Sequence, residues 1–282
     1  MKKFFTKLKS NFVHQIFFAV LLNPLIYNFF KGKIYQGELK QYCLPVLNCY
    51  SCPAAVTACP IGSFQHMLSN FKYHFSFWIA GIFGVVGITA GSWFCGHACP
   101  FGLFQDLLNK LSNKNFTMPR ILRYIKYPAL IFLVILLPLL IKKPTFCSYL
   151  CPAGTLQAGL TLVWFNSFNL GFLYFWKISL LALFTFSSIA YKRPFCNTSC
   201  PIGLVMGWFN KISIYQLEVD NSKCIECDIC REVCPADIYI YKNPKNTECV
   251  RCNKCIEVCP TNAIKLENKL LYKKGDDYAK SN

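Results

Sequence analysis

Cys224-Ile-Glu-Cys227-Asp-Ile-Cys230-Arg-Glu-Val-Cys234-Pro235 and Cys249-Val-Arg-Cys252-Asn-Lys-Cys255-Ile-Glu-Val-Cys259-Pro260 repeat one phrase, C-x2-C-x2-C-x3-C-P, within a single stretch near the end of the chain. Thiolates at such spacing bind metal. Zinc is the simpler occupant, but a zinc site takes two cysteine pairs separated by a longer spacer. A third cysteine three positions on, then a fourth followed by proline, fits the corners of a four-iron cluster better.

In this spacing, the pattern of bacterial two-cluster ferredoxins, the fourth cysteine of each run serves the cluster of the other run. One [4Fe-4S] cluster is thus expected on Cys224, Cys227, Cys230 and Cys259, and a second on Cys249, Cys252, Cys255 and Cys234. Ile238, Ile240 and Val258 supply small apolar packing around them. The expected unit is an α+β ferredoxin domain over residues 213–266, followed by a polar tail at 267–282.

The rest of the chain has a different composition. Of 282 residues, 54% are apolar and 15% charged, against about a quarter charged in an ordinary soluble domain. That excess predicts a membrane protein. Eighteen cysteines in metal-ligand spacings point to cofactor binding rather than a disulfide scaffold. The formal charge of +17 does not argue for nucleic acid, because bound clusters are anionic and many lysines flank apolar runs.

Four apolar stretches are expected to cross the membrane, at Asn11–Phe30, Phe75–Phe94, Tyr124–Ile141 and Phe172–Tyr191, each near the length that about 30 Å of hydrocarbon requires. Lys177, near one end of the fourth, is expected to snorkel to the interface. Lysines and arginines at the span ends favour cytoplasmic N- and C-termini and a cytoplasmic ferredoxin domain. The segment Gly159–Gly171 reads as an interfacial helix.

Within residues 1–212 a second phrase recurs, C-P-x-G-x-apolar-Q, at Cys59–Gln65, Cys99–Gln105 and Cys151–Gln157, and at Cys200 with Met206 in place of the glutamine. Cys95, Cys147 and Cys196 precede three copies by four residues, whereas the first copy has Ala55 there and Cys43, Cys49 and Cys52 farther back. Proline suits the first turn of a helix, whose free amides favour an anion beside the preceding cysteine. Span and motif alternate twice, as in a parallel duplication, so copies two and four face one side and copies one and three the other. The expected fold is therefore mainly α, with four transmembrane helices in two parallel two-span repeats. Cys95, Cys99, Cys196 and Cys200 are expected to hold a third cluster, on the cytoplasmic side. Cys59, Cys147, Cys151 and one of Cys49 or Cys52 are candidates for a fourth on the opposite face, with loops that dip inward unless a bridging cofactor joins the two faces.

With Cys95-Gly-His-Ala-Cys99-Pro100 and Cys196-Asn-Thr-Ser-Cys200-Pro201 ahead of a two-cluster unit, the chain resembles the membrane polyferredoxins of the NapH/NosR-related family. The resemblance implies an electron-transport protein of the inner membrane, working with other redox subunits, a soluble ferredoxin or a quinol pool. Such a chain is an oxidoreductase subunit with no substrate-converting site of its own. His97 and Lys223 are candidates for tuning cluster potential, and the four histidines offer no evident haem pair. The alternatives are thiol–disulfide or maturation chemistry at Cys49-Tyr-Ser-Cys52, and a redox-sensing membrane regulator.

Overall fold

The computed structural model describes residues 2–69, 77–112, 116–165 and 171–269, with side chains from Phe12 onward. The polar tail beyond Lys269, the first residues of the expected second span and most of the loop inside Gly159–Gly171 lie outside the described residues.

The ferredoxin unit closes on an antiparallel pair, β1 (Tyr215–Val219) and β2 (Ile264–Asn268), with Leu217 opposite Leu266. Its two cysteine runs share one backbone pattern. Glu226, Asp228 and Asp237 in the first run, and Arg251, Asn253 and Asn262 in the second, all have positive φ between 46° and 58°. Left-handed residues set between right-handed ones turn successive amide N–H groups toward one concavity, which suits an anionic cluster. Leu217, Ala236, Ile238, Ile240 and Ile264 form the core between the runs, and five of the eight cysteines pack against or within it.

Helices make up most of residues 1–212, the half that carries the expected membrane spans and is called the membrane half for them, and they depart from those spans in part. The apolar run from Asn11 to Phe30 is not one helix: a helix ends at Leu22 and a short one restarts at Tyr27. Pro24 lacks an N–H and disfavours helical backbone at Asn23, and the Asn23 side chain closes the end by donating to Ala19 O at 3.0 Å. Phe77–Ala90 is described over 14 residues. Among the described residues, two helices are long and apolar enough to cross a membrane, Arg120–Ile141 and Phe172–Ala190. At Gly159 the chain is already helical, continuing through Leu160–Phe165.

All four C-P motifs begin helices with proline in the first turn, at Pro60–Ser69, Pro100–Asn109, Pro152–Gly154 and Pro201–Phe209. These helix starts converge. Cys59, Cys99, Cys151 and Cys200 belong to a single buried cluster with Val46, Leu47, Ile61, Phe101, Phe146 and Ile202. The loops of the two motif pairs fold inward to share one core, one of the two arrangements expected for sites that start from different ends of the spans.

The ferredoxin unit docks on that core through its second run. Arg251, 3% exposed, donates to Ala90 O at 3.1 Å, to Asn210 O at 3.0 Å and to Tyr215 O. Asn210 in turn donates to Cys249 O at 2.7 Å and to Asn246 O at 3.2 Å. Gly96, inside the Cys95–Cys99 loop, lies so close that a Cβ there would be 2.5 Å from Val250 O. Lys126, buried at the base of the helix Arg120–Ile141, pairs with Glu248.

Candidate iron–sulfur sites

Every cysteine of the chain is a free thiol, and the thiols gather in sets. In the ferredoxin unit, burial pushes the Cys255 thiol well up, and the neighbouring thiols of Cys252, Cys249 and Cys234 push it further. Cys249 is raised to about 12, by burial first and then by Cys252 and Cys234. These four are the expected second set. Cys230 is raised by burial and by Cys227 and Cys224. Cys259 behaves differently: burial raises its pKa, yet hydrogen bonds from Thr261 and Ala263 outweigh that and leave it lowered. Its Sγ accepts from Ala263 N at 3.3 Å, an environment made for a thiolate.

Cys95, Cys99, Cys196 and Cys200 line one small cavity in the membrane half. Cys200 Sγ accepts from Gly203 N at 3.5 Å, as the C-P-x-G phrase requires of a helix start. Burial, followed by mutual repulsion, raises Cys95 and Cys200, and burial raises Cys196 to about 12 although Arg193 lowers it. Val250 and Thr247 of the ferredoxin unit line the same cavity. The Cys249–Cys252 loop therefore forms part of its wall.

Cys49, Cys59, Cys147 and Cys151 line a second cavity, of about 300 Å³. Cys151 Sγ accepts from Gly154 N at 3.4 Å, and Cys147 sits in the π-helical turn Phe146–Leu150. Burial raises Cys147 first, and Cys151, Cys59 and Cys49 then add to the shift. Cys49 itself reaches about 12 by burial and the nearby Cys151. Cys52 lies elsewhere, with its Sγ facing Asn23 Oδ1 at 3.8 Å. Cys43 faces Ser63 Oγ at 3.4 Å. Leu47 lines both cavities, so one residue separates them.

The repeated glutamines explain how distant loops meet. Gln65 accepts from Cys147 N at 3.3 Å and donates to Leu133 O at 2.7 Å. Gln157 accepts from Cys49 N at 2.7 Å. Gln105 accepts from Phe195 N at 3.1 Å and donates to Cys196 Sγ at 3.1 Å. Copies one and three are thus tied reciprocally, and copy two is tied to copy four. Copy four has Met206 where the others carry glutamine, and Arg193 makes the return tie. Its Nη1 donates to Cys95 O at 2.9 Å while Asp106 clasps its Nε and Nη2 at 2.8 and 2.7 Å. Burial alone would raise the Asp106 carboxyl, but Arg193 and Lys254 hold it below the usual carboxylate range.

Other expected roles shift. Lys177 lines the cavity of Cys49, Cys59, Cys147 and Cys151. His97 stacks on Trp93 with ring centroids 4.6 Å apart, and burial lowers its pKa to about 4. Lys223 pairs with Asp220 at 2.9 Å on the surface. The signal for the glutamine ties was present in the motif, whereas Asp106, Arg193 and Gly96 repeat nowhere and left no pattern.

A family model described as a 4Fe-4S binding domain matches residues 57–77, 71–119, 127–167 and 172–214, and another of the same description matches 217–240 and 245–265. The chain belongs to the 4Fe-4S binding-domain family. Among its relatives are an uncharacterized protein of Methanocaldococcus jannaschii, 31% identical over 55% of this chain and 56% of its own length, and the putative electron transport protein YccM of Escherichia coli, 27% identical over 57% and 46%. The ferredoxin-type protein NapH of Haemophilus influenzae is 28% identical over 50% and 47%. The chain spans between about half and three-fifths of the length of these and a further Methanocaldococcus relative. No solved structure matches it. It is a polyferredoxin related to NapH. Cys43, Cys49 and Cys52 fall outside every matched segment.

Four thiols around a cavity, with amide N–H groups aimed at sulfur and the one lining carboxylate, Glu248, paired with Lys126, are a donor set that fits a [4Fe-4S] cluster.

Proposed function

We propose that this polyferredoxin is a membrane-embedded electron carrier with four [4Fe-4S] sites in series. Cys224, Cys227, Cys230 and Cys259 would hold the first, Cys249, Cys252, Cys255 and Cys234 the second, Cys95, Cys99, Cys196 and Cys200 the third, and Cys49, Cys59, Cys147 and Cys151 the fourth. Bound there, each cluster supplies one-electron chemistry. The observation that carries the reading is contiguity: the Cys249–Cys252 loop helps wall the third cavity, and Leu47 is shared by the third and fourth.

The chain's own residues keep those sites close and dry. Arg251 and Asn210 hold the second ferredoxin run against the helix ends, and the three glutamines lock the loops that carry thiols. Val46, Ile61, Phe101, Phe146 and Ile202 pack between them as one buried apolar cluster.

Membrane embedding rests on where the apolar surface lies. The hydrophobic window of Arg120–Ile141 is only 22% buried, and that of Phe172–Ala190 11%. A core helix of a soluble protein would be mostly covered, whereas lipid suits an apolar helix that faces outward. Phe12–Leu22 and Phe77–Ala90, shorter apolar helices, would complete the four expected crossings. The ferredoxin unit would then exchange electrons with a cytoplasmic redox protein, and the fourth site with a membrane or extracytoplasmic partner or a quinone. Reporter fusions test this arrangement: both termini and Ser112 should read as cytoplasmic. A reporter at Ser112 reading external while one at the C-terminus reads internal would contradict it.

A further inference from the structure

The two membrane-half cavities are framed alike but charged differently. Around Cys95, Cys99, Cys196 and Cys200 the cations are Arg193 and Lys126, and each already has a carboxylate: Asp106 at 2.7 Å from Arg193, and Glu248 on Lys126. Around Cys49, Cys59, Cys147 and Cys151 the cation is Lys177, from the second turn of the apolar helix Phe172–Ala190. No described carboxylate forms an ion pair with it. An ammonium in that position is costly unless an anion answers it. The groups it faces are thiols: its charge acts on Cys49, Cys147 and Cys151.

A second group faces the same cavity. Asn48 is fully buried, and neither its amide nitrogen nor its amide oxygen has a hydrogen-bond partner within the protein. An unpaired buried carboxamide is rare. Sulfur atoms in the cavity would give its N–H groups acceptors.

We propose that Lys177 and Asn48 set the redox potential of the site framed by Cys49, Cys59, Cys147 and Cys151, making it more oxidising than the site framed by Cys95, Cys99, Cys196 and Cys200. A positive charge and N–H donors next to a thiolate-bound cluster favour its more negative, reduced form. Neutralised ion pairs beside the other site give no such bias. The inference rests on the fourth-cluster reading and extends it by ordering the two sites in potential, so that electrons held in the membrane half collect at the end farther from the ferredoxin unit.

The test is an EPR-monitored redox titration of the full chain, purified in detergent without oxygen. The signal lost in Cys147→Ser should titrate at a higher potential than the signal lost in Cys196→Ser. Lys177→Met should lower the former while leaving the latter and the iron content unchanged, Lys177→Arg should restore it, and Asn48→Leu should lower it by less. If Lys177→Met fails to retain iron, Asn48→Leu and Lys177→Arg read the same quantity. A fourth-site potential unmoved by these changes, or lying below that of the Cys196 site, would overturn this inference alone. Equal iron in wild type and Cys147→Ser would overturn the fourth cluster itself, and the inference with it.

Discussion

The ferredoxin unit and the membrane half build the same kind of site by opposite routes. In the first, all eight thiols come from one continuous stretch, and a repeated left-handed backbone at 226, 228, 251 and 253 wraps each set locally. In the second, each set joins loops about a hundred residues apart, Cys95 with Cys196 and Cys49 with Cys147, and local geometry cannot bring them together. Side chains do so instead: Gln65, Gln105, Gln157 and the Arg193–Asp106 pair. Local sites should therefore tolerate damage elsewhere, while non-local sites should fail when one tie is cut.

The largest effect is expected from Asp106→Ala. It leaves the Arg193 guanidinium buried without its partner, which costs about 3–5 kcal/mol, and releases the loop that carries Cys95. Iron at the third site should be lost, with the two ferredoxin clusters retained, as checked by iron and sulfide analysis with EPR. Loss of all clusters would show that the two regions do not fold independently.

Gly96→Ala comes next, because its Cβ would press on Val250 O. Overpacking of this kind costs about 1–3 kcal/mol. The ferredoxin unit should loosen from the membrane half, giving faster proteolysis near residues 210–214 with cluster content intact. A cleavage rate equal to wild type would contradict the docking described for the Cys249–Cys252 loop.

Gln157→Leu and Gln105→Leu sharpen the comparison within the membrane half. Each removes the acceptor of a backbone N–H, at a cost of about 1–3 kcal/mol where that N–H stays unpaired. The first should labilise only the Cys49 site and the second only the Cys196 site, measured as the rate of iron loss to a chelator. The smallest effect is expected from Cys52→Ser, since Cys52 faces Asn23 and not the cavity. Its iron content should equal that of the wild type.

What the sequence revealed follows from the same division. The thiols at 224–259 were readable because their spacing is itself the geometry. The pairing of copy two with copy four was readable from the count of cysteines, but the choice between Cys49 and Cys52 was not: both lie in one loop, and only the fold turns Cys49 into the cavity while Gln157 holds its N–H. The expectation of two opposite faces came from counting apolar runs. It left inward-dipping loops and a bridging cofactor as alternatives, because the break at Asn23-Pro24 and the packing of Val46 and Leu47 between the motifs are tertiary facts. The place of Lys177 beside the thiols of Cys49, Cys59, Cys147 and Cys151 was not legible either, those thiols being remote in sequence.

The central claim is that the chain holds four thiol-framed clusters, two built locally and two across distant loops. The most direct measurement is iron and acid-labile sulfide per chain after anaerobic purification, for wild type, Cys49→Ser and Cys52→Ser together. The account predicts about sixteen iron atoms in wild type and in Cys52→Ser, and about twelve in Cys49→Ser, at four irons per cluster. About eight in all three would contradict it, leaving the ferredoxin unit as the sole holder of clusters.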